Sequence, residues 1–160
     1  SKSVCEQSHG GSNPPLSASA PFIVIFGGSG MDLEFHHVGI PVDKSQISSN
    51  ARYSPAFKMY TDDAQNGLGV HIQYHAFEAG CPLNDAIKSQ VHVAFKTENI
   101  EQILEGNQVI MPPYEPFKGY KCAMILVNGL PIELIETSLP EQEIWSNGET
   151  LKTGILYGEE

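Results

Sequence analysis

The same strand pattern opens both halves of this chain. In "HHVGIPV" and again in "VHVAF", apolar residues alternate with histidine, glycine, proline or alanine. Successive side chains of a β-strand point to opposite faces of the sheet, so each stretch predicts a strand with one apolar face. The recurrence predicts a fold made of two related half-modules, at about 31–80 and 88–137.

The second half-module continues with a helical segment and three further strands, and the first is a degraded copy with a shortened helix. In the second half, "ENIEQILEG" has a helical apolar stripe with Thr97 as a candidate N-cap, and Asn128-Gly129 marks a tight hairpin. In the first half, "KSQISSNA" has room for only a helical turn, and strands at "YSPAFKMYTDD" and "LGVHIQYHAF" flank an Asn66-Gly67 turn. This order predicts an α+β fold with two βαβββ-like modules. We expect a mainly antiparallel, cup-shaped sheet with helices on its outer face.

Two flanking segments differ from the half-modules. Residues 1–30 are rich in serine, glycine and proline and predict an N-terminal extension, although its apolar "FIVIF" also suits an added edge strand. Residues 138–160 form an acidic C-terminal tail with a single tryptophan, Trp145, and we expect this tail to pack loosely on the outside.

The charge balance limits the classes of partner. Nine lysines and arginines against nineteen acidic residues give a net charge of -10, which repels nucleic acid and anionic membranes. The three cysteines, Cys5, Cys81 and Cys122, lack metal-finger spacing and are odd in number, so they indicate thiols in a reducing cytoplasm. The expected partner is a small molecule.

Polar residues recur on the strand face that is not apolar. His37 and His92 occupy matching places on the first strands of the two halves, and Glu133 is out of phase with its apolar neighbours in "IELIE". On a further strand His71, Gln73 and His75 share one face. We therefore expect these strands to present polar groups to a common interior surface. His36 falls on the opposite face, where a structural or solvated role is expected.

This set of side chains suits a divalent metal ion. Imidazole and carboxylate groups are common metal ligands, and two histidines with one carboxylate suit ferrous iron or related ions. A carboxylate such as Glu133 inside a cup is costly without a compensating cation. The alternative is that His37 and His92 are hydrogen-bonded core residues and that Glu133 faces solvent.

Three of these stretches carry a family resemblance. "FHHVGIPVD", "VHVAFKTENIEQIL" and "GLPIELIET" resemble the glyoxalase, bleomycin-resistance and extradiol-dioxygenase superfamily, the vicinal oxygen chelate proteins, over about Met31 to Thr137. The resemblance implies a homodimer and a divalent ion (Fe, Mn, Ni, Co or Zn) held by His37, His92, Glu133 and either His71 or Gln73. The chain departs from a glyoxalase I pattern because the fourth position has no carboxylate, and its first helix is nearly missing.

The resemblance implies a metal-dependent enzyme that acts on a small substrate with vicinal oxygens, as an isomerase, epimerase, lyase or dioxygenase. Glu133 is then both a metal ligand and the candidate catalytic residue. Gln73, Tyr114 and Phe117 are candidate pocket residues, and "PPYEPFKGYK" is expected to be a loop that folds over the opening. The alternative is a binding protein without catalysis, similar to the drug-sequestering members.

Overall fold

The computed structural model describes residues 32–145. The N-terminal extension, "FIVIF" and the tail beyond Trp145 lie outside the described residues. The strands are β1 (Glu34–Pro41), β2 (Arg52–Ser54), β3 (Met59–Ala64), β4 (Ile72–Phe77), β5 (His92–Lys96), β6 (Gln108–Phe117), β7 (Tyr120–Val127) and β8 (Leu130–Thr137). The helices are a 3-10 turn (Lys44–Gln46), α1 (Asp85–Ser89), α2 (Ile100–Leu104) and α3 (Glu141–Trp145). No helix in this part of the chain is long and apolar enough to cross a membrane.

All eight strands join one sheet in the order β2-β3-β4-β1-β5-β8-β7-β6. The first half of the chain supplies β1 to β4 and the second half β5 to β8, and the halves meet where β1 pairs antiparallel with β5. Within each half the first strand pairs parallel with the last, β1 with β4 and β5 with β8. The predicted α+β class is confirmed, whereas the division into repeated modules stays a prediction.

The sheet curls around a cavity. Arg52 lies on β2 at one end of the strand order and Tyr114 on β6 at the other end, yet both line the same cavity. The rings of Phe57 and Tyr114 are also 5.3 Å apart between centroids. Contact between the two ends of an eight-stranded sheet requires strong curvature, which gives the sheet a concave and a convex face.

Alternation along β7 separates two apolar clusters. Cys122 and Met124 belong to the cluster on the concave face, whereas Ala123 and Ile125 belong to a second cluster with α2. Because neighbours on a strand face opposite ways, α2 lies on the convex face, as predicted for the helices. Helices α1 and α3, which the sequence did not predict, lie on the other side, since Ile87 and Ile144 are buried in the concave cluster.

Two turns were predicted with different success. At Asn128-Gly129 both residues have positive φ, 49° and 85°, and Val127 pairs with Leu130. This is the expected two-residue hairpin, because such turns need left-handed backbone at both positions. Asn66 instead belongs to a longer loop, where its side chain accepts a hydrogen bond from the Leu68 amide and β4 begins only at Ile72.

Two further predictions are wrong in detail. "PPYEPFKGYK" is not a loop, because β6 runs to Phe117 and β7 starts at Tyr120, with Gly119 in the left-handed region between them (φ 82°). The N-cap of α2 is Asn99 rather than Thr97: the Asn99 side chain accepts a hydrogen bond from the backbone of Gln102 at 3.1 Å.

Candidate metal centre

Three predicted ligands converge on the concave face. One ligand atom each from His37 on β1, His92 on β5 and Glu133 on β8 all lie within 4.8 Å of one another. Glu133 Oε2 is 3.3 Å from His37 Nε2 and 3.2 Å from His92 Nε2. The imidazoles are buried, and the Glu133 side chain is only 12% exposed. The interpretation of Glu133 as a solvent-facing residue is therefore wrong.

Strand register brings the three side chains together. Ala94 pairs with His37 on one side and with Glu133 on the other, so these residues form one row across the sheet. His92 is two residues before Ala94 on β5 and therefore shares its face. Ala94 is fully buried, and its methyl group leaves the space between the larger neighbours open.

Gly39 makes room for the imidazole of His92. The two residues pair directly between β1 and β5. A Cβ atom built at Gly39 would lie 1.9 Å from Cε1 and 2.2 Å from Nε2 of His92. Because no side chain fits there, glycine is needed at this position for the His92 ring to reach the cluster.

The three side chains could hold a divalent ion, and two of their three separations match those between the ligands of such an ion. Two ligands of a zinc-sized ion, each at about 2.0–2.2 Å, lie roughly 3.0–3.4 Å apart in tetrahedral or octahedral geometry, which matches the 3.2 and 3.3 Å separations. The buried Nε2 atoms of His37 and His92 are not aligned for a hydrogen bond with any described residue. Buried polar atoms without hydrogen bonds are uncommon, and these two nitrogens are free to serve as ligands of an ion.

Glu133 has the charge that such an ion requires. Burial raises the pKa of Glu133, but the close approach of His37 and His92 outweighs burial and brings the pKa well below its usual value. The carboxylate is therefore ionised at neutral pH, and its negative charge offsets that of a bound cation.

A β-bulge places His36 beside the cluster. The pairing of β1 with β5 shifts register between Phe35 and His37, so His36 is an extra residue in the strand. His36 is buried, and its Nδ1 lies 2.7 Å from Nδ1 of His37. Of the two roles expected for His36, structural or solvated, the solvated one is wrong. Burial, followed by the neighbouring His37, lowers the pKa of His36 to about 4.

The two candidates for a fourth ligand lie outside the group of three. Gln73 pairs with Gly39, two residues after His37, just as Glu133 pairs with Ala94, two residues after His92. Its amide, however, donates a hydrogen bond to Asp63 at 2.9 Å. His71 precedes β4, is exposed, and stacks on Trp145 with ring centroids 4.0 Å apart. The choice between them stays a prediction.

The cluster opens into a cavity of about 90 Å³ with mainly apolar walls. A single buried water molecule occupies about 10–15 Å³ of such free space, so the cavity has room for a small organic molecule. All three predicted pocket residues, Gln73, Tyr114 and Phe117, line it.

His75 also lines the cavity, although it was given no role from the sequence. It is 7% exposed, and its Nδ1 lies 3.2 Å from Thr61 Oγ1. Its Nε2 is buried without a hydrogen-bond partner among the described residues. Burial, and then the charges of His92 and His37, lower the pKa of His75 to about 3, so the ring is neutral. Its spacing of two residues from Gln73 places it on the same face of the strand, which is the sequence signal for a residue that lines the cavity.

Helix α3 closes one side of the cavity. Ile144 is buried in the concave cluster, and Trp145 lines the cavity and stacks on His36, with ring centroids 5.0 Å apart. An ion pair between Glu141 and Lys96 of β5 connects this helix to the sheet, and within the helix Glu141 accepts a hydrogen bond from Trp145 Nε1 at 2.6 Å. The expectation that the tail packs loosely on the outside is wrong for α3.

Comparison of the chain with protein-family models finds no match, and comparison with curated proteins finds none either. The geometry of the candidate metal centre and cavity is therefore the basis of the function proposed below.

Proposed function

We propose that this protein is a metal-dependent enzyme of the vicinal oxygen chelate type, acting on a small substrate with two adjacent oxygen atoms. The observation that carries the proposal is the buried convergence of His37, His92 and Glu133 at one end of a cavity. Two histidines and a carboxylate leave coordination positions open for substrate oxygens. The sequence resemblance points to the same three residues.

The bound ion would supply Lewis acidity, which stabilises negative charge as it develops on a substrate oxygen. This requirement is common to isomerases, epimerases, lyases and dioxygenases, so the metal centre supports the group of reactions as a whole. The identity of the metal would narrow this group of reactions. Zinc has no redox chemistry and would exclude a dioxygenase, whereas iron bound by two histidines and a carboxylate with open positions would suit an oxygenase.

Glu133 is the candidate for moving a proton. It is the only carboxylate that lines the cavity among the described residues. A general base must reach the proton it takes, directly or through one water. Because Glu133 would lie beside substrate oxygens held by the ion, it would be in a position to take a proton from the neighbouring carbon.

The rest of the cavity indicates the substrate. Its walls include Met59, Phe77 and Met111, which exclude water and favour apolar substituents. The Nε2 of His75, which has no hydrogen-bond partner within residues 32–145, provides a second polar contact besides the candidate metal centre. The proposed substrate is therefore small and mainly apolar, with a pair of oxygens at one end and a further polar group.

Elemental analysis of protein purified without chelator tests the proposal. We expect about one transition-metal ion per chain in the wild type and its loss in His37→Ala and in Glu133→Gln. Glu136→Gln is the matched control, because Glu136 lies on the same strand but accepts a hydrogen bond from the Ile100 backbone of α2. Metal content should be unchanged in this control.

The opposite outcome would support the non-catalytic alternative. The enzyme proposal would be contradicted if the wild-type protein binds no metal after reconstitution. The same conclusion requires that wild type and His37→Ala bind small apolar ligands with equal affinity. Such a protein would instead be a sequestering protein that uses the cavity alone.

A further inference from the structure

We propose that His36 is a positioning residue for the metal centre. By accepting a hydrogen bond from His37 Nδ1, it fixes the tautomer of His37 whose Nε2 lone pair is available to the ion. The inference rests on the proposed metal-binding function and assigns a role to a residue outside the group of three ligands.

The contact between the two imidazoles requires a proton on one side only. Their Nδ1 atoms are 2.7 Å apart, which is hydrogen-bonding distance. A neutral imidazole has one donor and one acceptor nitrogen, so one Nδ1 donates and the other accepts. Both rings are buried, so water does not compete with either Nδ1 atom for this hydrogen bond. The protonation pattern of one histidine therefore determines that of the other.

Metal binding selects one of the two patterns. When His37 Nε2 uses its lone pair to bind an ion, the proton of His37 is on Nδ1, which then donates to His36. The acceptor role of His36 Nδ1 places its own proton on Nε2. That atom lies 3.7 Å from Oε2 of Glu141, so the negative carboxylate faces the N–H group. The whole series from Glu141 to His37 is thus consistent with an ion at the cluster.

The fold holds His36 in this position. The bulge in β1 turns His36 toward the concave face, and the Trp145 ring stacks on it at 5.0 Å with an angle of 27° between the planes. Residues that hydrogen-bond the second nitrogen of a metal-binding histidine orient its ring, and their loss typically weakens metal binding by about 10–100-fold.

Two substitutions separate hydrogen bonding from packing. His36→Phe keeps an aromatic ring against Trp145 but has no acceptor, whereas His36→Asn loses the ring but its side-chain oxygen can replace Nδ1. With Zn²⁺ alone as the probe, in competition with a chelating dye, we expect about 10–100-fold weaker binding for His36→Phe. His36→Asn should lie much closer to the wild type. A role in packing alone gives the reverse order and would overturn the inference.

The tautomers can also be read in the wild-type protein, which avoids any failure of a variant to fold. Nitrogen NMR of the Zn²⁺-bound protein should show the His36 proton on Nε2 and the His37 proton on Nδ1. A His36 proton on Nδ1 would refute the inference while leaving the proposed function intact, as would equal Zn²⁺ affinities in the wild type and both variants. Absence of metal binding in the wild type would refute both.

Discussion

Gly39→Ala should disable the metal centre without touching a metal ligand. The added methyl group would lie 1.9 Å from Cε1 of His92. Carbon atoms in contact are about 3.5–4.0 Å apart, so the ring must move by roughly 1.5 Å or more. Metal sites tolerate deviations of only about 0.2 Å in ligand distance. The His92 ligand is therefore lost, and we expect the Zn²⁺ dissociation constant to rise by at least about 100-fold, the upper end of the effect of losing a supporting contact.

Chelator competition gives the dissociation constant, and urea unfolding gives the accompanying change in stability. Overpacking of this kind costs about 1–3 kcal/mol. Gly67→Ala is the matched control, because a Cβ atom at Gly67 meets no atom within 4 Å, and its effect should stay within about 0.5 kcal/mol. Wild-type Zn²⁺ affinity in a folded Gly39→Ala protein would refute the assignment of His92 as a ligand.

Three further measurements test the site and its support. Trp145 is the only tryptophan, and its ring is 5.7 Å from that of His37. Binding of Cu²⁺ or Co²⁺ should therefore quench the tryptophan fluorescence in proportion to the occupancy of the site. Bound metal without quenching would place the ion elsewhere. Ala94→Leu should lower Zn²⁺ affinity, because the larger side chain fills the space between His37 and Glu133, and should lower the free energy of unfolding in urea by about 1–3 kcal/mol. Unchanged Zn²⁺ affinity would argue against an ion placed between these two residues. Leu134→Ala should lower the free energy of unfolding by about 2–5 kcal/mol, since Leu134 is 1% exposed. The same change at Leu130, which is 41% exposed, should lower it far less. Equal losses of stability would contradict the described core.

The three candidate ligands could be predicted from the sequence because they lie on strands. Alternation fixes the face of each strand residue, and Glu133 lies between two apolar neighbours that pack with α2. His37 and His92 could be matched because the strands that carry them have the same apolar pattern. The fold class followed from the same patterns, since a period of two over several segments predicts a sheet.

The remaining features depend on irregularities that a strict period cannot reveal. The bulge adds one residue to β1 and brings His36 into contact with His37, although alternation places them on opposite faces. The loop after Asn66 is longer than its turn signal suggests, which leaves His71 outside β4. Trp145 reaches the cavity only because the tail folds back on the concave face. This packing depends on residues distant in sequence, so no local pattern within α3 predicts it.

The metal centre spans the junction between the halves of the chain. His37 comes from the first half and His92 and Glu133 from the second, on either side of the β1–β5 ladder. A bound ion would therefore cross-link two halves that share a single strand pair in the sheet, in addition to side-chain contacts such as that between Phe57 and Tyr114. An ion present at 100 times its dissociation constant adds about 2.7 kcal/mol to stability, so the steady amount of folded protein in a cell would follow the supply of the metal.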